Sequence, residues 1–212
     1  MRKLLTSKWT KVVVFVLASV PVLLLSLALA RGDLGPNPVE TLQNQTGEWT
    51  LKFLVMTLAV TPLRKILTLP ELIRFRRMLG LFAFFYVCLH FLAYLVLDQS
   101  FNFAGMLDDV VKRKFITVGF AAFLLLIPLA ATSTTGMIRR LGGKRWQSLH
   151  RTIYLCGILG VIHYWWKVKS DIRGPLFYAV LVGILLLYRL WDSYRGKGNA
   201  SAAVRVGAPA AD

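Results

Sequence analysis

Three histidines, His90, His150 and His163, are the only ones in the chain, and each falls within or at the edge of an apolar run. An ionisable ring at such a depth is costly and marks a candidate functional site. The plain alternative is a neutral histidine hydrogen-bonded to a neighbouring helix. At about 1.5 Å per residue, His90 lies roughly 18 Å past Met78, and His163 lies roughly 21 Å past Leu149 on another run. Two imidazoles from two helices are therefore expected nearly level. With no cysteine or carboxylate beside them in the pattern, such a pair suits a six-coordinate haem iron better than zinc, which takes four ligands in structural sites. Two imidazoles would also fill the axial positions of that iron, which favours electron transfer over ligand binding.

His150 precedes His163 by 13 residues in the same apolar stretch, or roughly 20 Å along a helix. It points to a second site near the opposite membrane surface. On an ideal helix the two rings are about 140° apart, so either different neighbours face them or the helix is distorted between them. Gly157 and Gly160 would admit a close backbone or a planar cofactor there. A symmetrical two-haem arrangement needs a fourth histidine 13 or 14 residues before His90, and those positions are Arg77 and Arg76. Neither is a usual iron ligand, although either can hold a propionate, a flavin phosphate or an anionic headgroup. With Arg74 they also read simply as positively charged cytoplasmic residues. Lys144, Arg145 and Trp146 beside His150 carry the same two readings. One haem is expected, and a second is left open.

The elements that must position these residues follow from composition. The 212 residues are 56% hydrophobic and 17% charged, with a mean hydropathy of +0.58, which excludes an ordinary soluble domain. An all-α integral membrane protein with six transmembrane helices is expected, the spans at about 12–30, 50–67, 78–97, 115–138, 149–166 and 175–190, each near the 20 residues that cross a bilayer. The second is the weakest. The first ends in Ala28-Leu29-Ala30, which has the form of a signal-peptide cleavage site, but its length favours an uncleaved anchor. Residues 196–212 are small and polar, and read as a disordered cytoplasmic tail.

The net charge of +16 would suggest nucleic acid in a soluble protein. Here 18 of the 26 basic residues, against 3 acidic ones, fall on the side that carries both termini. Both termini are therefore expected in the cytoplasm, and no nucleic-acid partner is expected. The six tryptophans fall at the ends of the proposed spans, at headgroup level. Cys88 and Cys156 lie inside apolar runs, so neither a disulfide framework nor a thiolate metal site is legible. No dinucleotide-binding glycine motif or P-loop is present, and no carboxylate pair beside a histidine or reactive loop cysteine offers catalysis by the chain itself. The electron donor must then be lipid-soluble or a separate protein.

Three stretches carry a family likeness: Leu72 to Asp98 (LIRFRRMLGLFAFFYVCLHFLAYLVLD), Ala131 to Leu155 with the pattern LGGKRWQSLHR, and His163 to Lys169 (HYWWKVK). Gly47 to Lys65 is similar as well. Together they resemble the haem-binding membrane subunits of bacterial periplasmic methionine-sulfoxide reductase systems, within the wider ferric-reductase-like group of transmembrane domains. The resemblance covers about Gly32 to Trp191. It implies b-type haem held by His90, His163 and His150, with FMN also attributed to the family. It further implies electrons drawn from quinol or a cytoplasmic flavin reductase and delivered to a periplasmic molybdopterin subunit that reduces methionine sulfoxide. On that reading the chain is an electron-transfer subunit and not the catalytic one. A metal-ion reductase and a cofactor-free membrane anchor are the alternatives.

Overall fold

Prolines inside long apolar helices decide where this bundle bends and what its helices must offer one another. The computed structural model describes residues 5–206, with side chains described through Arg195. The principal helices are α1 (Lys8–Arg31), α2 (Pro38–Ile66), α3 (Ile73–Leu92), α4 (Phe103–Lys112), α5 (Lys114–Ala131), α6 (Thr135–Leu141), α7 (Gly143–His150), α8 (Ile153–Lys167) and α9 (Arg173–Val206). A single 3-10 turn (Pro70–Leu72) leads into α3, and a π-helical turn (Ala93–Asp98) prolongs it.

The architecture is all-helical among the described residues, with four helical segments long and apolar enough to cross a membrane: Lys8–Arg31, Pro70–Asp98, Lys114–Ala131 and Arg173–Arg195. The other two expected spans take a different form. α2 starts twelve residues earlier than expected, at Pro38, because Asn37 caps it by accepting from Glu40 N–H at 3.3 Å. Its first half is too polar to meet lipid alone, and α2 instead packs along α3, α8 and α9. α8 has only 15 residues, about 22 Å, and is likewise packed against neighbours, chiefly α5.

The expected fourth span is cut at Ala131. Thr132 and Ser133 turn their hydroxyls back onto the Pro128 and Leu129 carbonyls, and Thr134 then caps α6. The last helix runs on to Val206, past the point where a disordered tail was expected. Its alanine-rich sequence after Asn199 favours helix, and residues 207–212 lie outside the described residues.

Apolar contact alone cannot hold helices together in lipid, so small residues and internal hydrogen bonds matter. Gly157 and Gly160 of α8 receive Leu58 and Leu51 of α2, whose methyl groups lie 3.3 and 3.4 Å from where a Cβ would stand. Thr46, Thr50 and Thr57, all buried, donate to carbonyls four residues back at 2.6, 2.9 and 2.7 Å. Trp49, expected at a span end, instead lies mid-way along α2 with its ring 6.0 Å from Phe53 and 6.2 Å from Tyr86. The polar start of α2 carries it inward.

Two prolines release backbone groups that distant side chains satisfy. Pro21 bends α1, and the fully buried Tyr86 hydroxyl enters the opened turn, accepting from Val22 N–H at 3.1 Å and donating to the Ala18 carbonyl at 2.9 Å. An unbroken helix would join those two groups directly. Pro62 lacks the N–H that the Leu58 carbonyl would accept, and Arg189 of α9 donates to that carbonyl at 3.1 Å. Tyr86→Phe should therefore destabilise the bundle by about 1–3 kcal/mol by orphaning a buried donor and acceptor. A lower thermal midpoint in detergent would show it, and an unchanged midpoint would contradict it.

Candidate cofactor site

His90 occupies the last turn of α3, just before the π-helical turn, and His163 lies near the end of α8. The structure brings them together as the sequence predicts: their ring centres are 6.0 Å apart and their planes cross at 79°. Both line a cavity of about 1340 Å³ between α2, α3, α4, α5 and α8. This exceeds the roughly 300–1,000 Å³ of most small-ligand pockets, so the space is on the scale of a macrocycle.

The two rings are held by the same device on different helices. His90 Nδ1 lies 2.9 Å from the Gln43 carbonyl of α2, and His163 Nδ1 lies 2.7 Å from the Phe115 carbonyl of α5. A carbonyl only accepts, so each Nδ1 carries the hydrogen and each Nε2 keeps a bare lone pair, the form that binds a metal.

One helical turn past each carbonyl is a glycine. A Cβ on Gly47 would stand 3.1 Å from His90 Cε1 and Nδ1, and one on Gly119 would stand 2.5 Å from His163 Nδ1. The absent side chains are what let each ring lie against the neighbouring helix and reach its carbonyl. A metal–imidazole bond of about 2 Å, with roughly 1 Å more from nitrogen to ring centre, sets two opposed imidazoles roughly 6 Å apart. The observed spacing and donor chemistry therefore fit a metal held between them.

The mouth of this cavity is polar. Asp109 ties three elements there: it accepts from the Tyr94 hydroxyl at 3.0 Å and from Gln99 at 2.8 Å, and pairs with Arg113 Nε at 3.0 Å. These contacts fix α4 across one end of the cavity, where Met106 and Val110 line it.

His150 lies elsewhere. At Arg151 and Thr152, both still in right-handed helical conformation, the bonding tightens to three-residue spacing, so His150 ends α7 while His163 belongs to α8. This is the local distortion expected between the two rings. The His150 ring stacks on Trp146 with centres 3.8 Å apart, its Nδ1 lies 3.0 Å from the Trp146 carbonyl, and its Nε2 lies 3.4 Å from the Ser133 hydroxyl. It lines a second cavity of about 440 Å³ at the other end of the bundle, together with Arg76, Arg77, Arg151 and Tyr154. Both arginines predicted from spacing thus share a cavity with His150. With only three histidines in the chain, no second imidazole faces it.

The ferric reductase like transmembrane component family matches residues 17–161. A protein of Herminiimonas arsenicoxydans named "Protein-methionine-sulfoxide reductase heme-binding subunit MsrQ" is 53% identical over 91% of this chain and 90% of its own length. This chain belongs to the MsrQ family. An MsrQ protein of Ralstonia nicotianae is 50% identical, over 91% of this chain and 90% of the relative. Another, from Rhodospirillum rubrum, is 49% identical over 91% of this chain and 92% of the relative. No solved structure matches the chain. The match places it among multi-pass membrane proteins of the ferric-reductase-like group, in keeping with its apolar helices.

Sequence reasoning missed the two glycines and the two carbonyls they expose. Nothing in the sequence marks them: Gly47 and Gly119 acquire their role only from the histidine that each faces in the fold.

Proposed function

We propose that this chain is the b-type haem subunit that passes electrons across the bacterial inner membrane to a periplasmic molybdopterin methionine-sulfoxide reductase, supporting repair of oxidised proteins. The observation that carries this reading is the pair of Nδ1-anchored imidazoles 6.0 Å apart in one large cavity. The printed names of the relatives, which call them haem-binding subunits of that reductase, supply the reaction it serves.

In this reading His90 and His163 would hold the haem iron through their Nε2 atoms. Bound there, haem supplies a one-electron couple whose potential is set by its ligands and dry surroundings. The protein's part is positional. The Gln43 and Phe115 carbonyls hold each ring in one tautomer, Gly47 and Gly119 leave room for it, and the aromatic wall of Phe91, Phe120 and Phe123 keeps water out. Those rings pack with centres 4.9 to 6.4 Å apart, Phe91 stacked on Phe123 and Phe120 tilted against both.

The second cavity is the donor end. Arg76, Arg77 and Arg151 line it with no acidic side chain among its lining residues, so it suits the phosphate of FMN or the oxygens of a quinol headgroup. His150, bonded within its own segment and facing no other imidazole, belongs to that end and not to a two-histidine iron site. Electrons enter from quinol or from a cytoplasmic flavin reductase. Six crossings with both termini cytoplasmic complete the reading, with α2 and α8 crossing against their neighbours and α8 turning Leu155, Ile158, Trp165 and Trp166 outward. That places His90 and His163 toward the periplasm and the arginines toward the cytoplasm, as the basic-residue asymmetry requires.

A reduced-minus-oxidised spectrum of the purified protein is the direct test. The expected result is a low-spin, bis-imidazole b-type signal, reoxidised by methionine sulfoxide only when the reductase subunit is added. Absence of any haem signal would favour a simple membrane anchor. Reoxidation by ferric chelates without the partner would favour a metal-ion reductase, the second reading suggested by the family description. His150→Ala is expected to retain the low-spin signal of the His90–His163 site while reduction by the donor slows severalfold. Loss of that signal would place His150 among the axial ligands.

A further inference from the structure

The short helix α4 (Phe103–Lys112) connects the end of the α3 span at Asp98 to the start of α5 at Lys114. Four residues precede it and only Arg113 follows it, so it cannot leave the level of the span ends. Its residues are sorted by side. At about 100° per residue, Met106, Val110, Phe103, Leu107 and Val111 form one apolar arc about 140° wide. Asp108 and Lys112 occupy the opposite side, paired at 2.6 Å.

The bundle uses only one flank of that arc, where Met106 and Val110 line the large cavity. The other flank is bare: Phe103, Leu107 and Val111 are 58%, 60% and 82% exposed. This surface continues onto Phe101 and Leu97, exposed at the end of the preceding span. An apolar stripe on a helix tethered at the membrane surface, its charged side turned away, is the pattern of an interfacial helix.

We propose that α4 is an interfacial helix whose Phe103, Leu107 and Val111 flank is buried among the lipid acyl chains of the leaflet nearest His90. Its inner flank meanwhile roofs the histidine cavity. Lipid is favoured over a protein partner because the flank adjoins the apolar end of a span and both tethers hold it at headgroup depth. Lys114 at its end can meet lipid phosphates, beside Lys112 and Arg113, which pair with Asp108 and Asp109. The bilayer itself then closes one edge of the cavity, whatever occupies that cavity.

The test uses full-length protein in phospholipid nanodiscs, with Cys88→Ala removing the partly exposed native thiol. Spin labels are placed singly at Leu107→Cys, Val111→Cys and Lys112→Cys. The labels at 107 and 111 should be severalfold more accessible to dissolved oxygen than to a water-soluble nickel chelate, and the label at 112 the reverse. Equal chelate access at all three positions would overturn the proposal. Chelate access at 107 and 111 that disappears only on adding the soluble reductase subunit would overturn it too, in favour of a protein-docking face. The readout requires no cofactor, so it succeeds or fails independently of the proposed redox role.

Discussion

Replacing either His90 or His163 by alanine is expected to abolish the low-spin haem signal and most of the bound haem. The two rings come from helices that approach from different sides of one cavity, and each supplies a single Nε2 lone pair. Removing one leaves the other ring correctly placed but only one Nε2 to hold the group. Haem content measured against protein after purification, together with the spectrum, decides the matter. Full haem content and unchanged spectra in both variants would remove the proposed ligation outright. The spectrum should fail in the two variants alike, because the carbonyl anchors are of the same kind and of similar length.

Gly119→Ala is expected to be nearly as damaging, although it touches no redox atom. In an ordinary helix interior this change stabilises by about 1 kcal/mol. Here the added carbon would stand 2.5 Å from His163 Nδ1, well inside contact distance, and what it meets is a ring that the Phe115 carbonyl of the same helix holds in place. The ring must give up its carbonyl or the helices must part, and either outcome moves Nε2 off its line. Gly47→Ala meets His90 at 3.1 Å and should cost less, through a shift of a few tenths of an ångström. The expected order of haem retention is therefore wild type, then Gly47→Ala, then Gly119→Ala. A Gly119→Ala protein with full haem and a raised thermal midpoint would show that the ring does not lie where the structure puts it.

The candidate site was legible to the extent that linear spacing determines it. Depth along a helix follows from residue counts, so the level placement of His90 and His163 and the shared end of His150 with Arg76 and Arg77 came from the sequence directly. What resisted reading was set by chain direction at isolated points. The tighter bonding at Arg151 and Thr152 separates two histidines that a continuous apolar run places on one rod. The start of α2 at Pro38 rests on a cap at Asn37, and its polar first half gains its environment from the large cavity and not from its own composition. Trp49 was misplaced for the same reason. Glycines are ambiguous until a neighbour is known: Gly157 and Gly160 were read as points of close approach and receive leucines, whereas Gly47 and Gly119, which matter more to the site, carried no mark of their own.

The bond between Arg189 and the Leu58 carbonyl makes Arg189 and Pro62, distant in the chain, a single unit of inheritance. The arginine answers a vacancy that only a proline at 62 creates. A descendant that exchanged that proline for an ordinary residue would leave the arginine held only by Tyr154, whose hydroxyl and ring it also meets. One that lost the arginine first would be left with an unanswered oxygen, and the order of the two changes would decide which lineages survive.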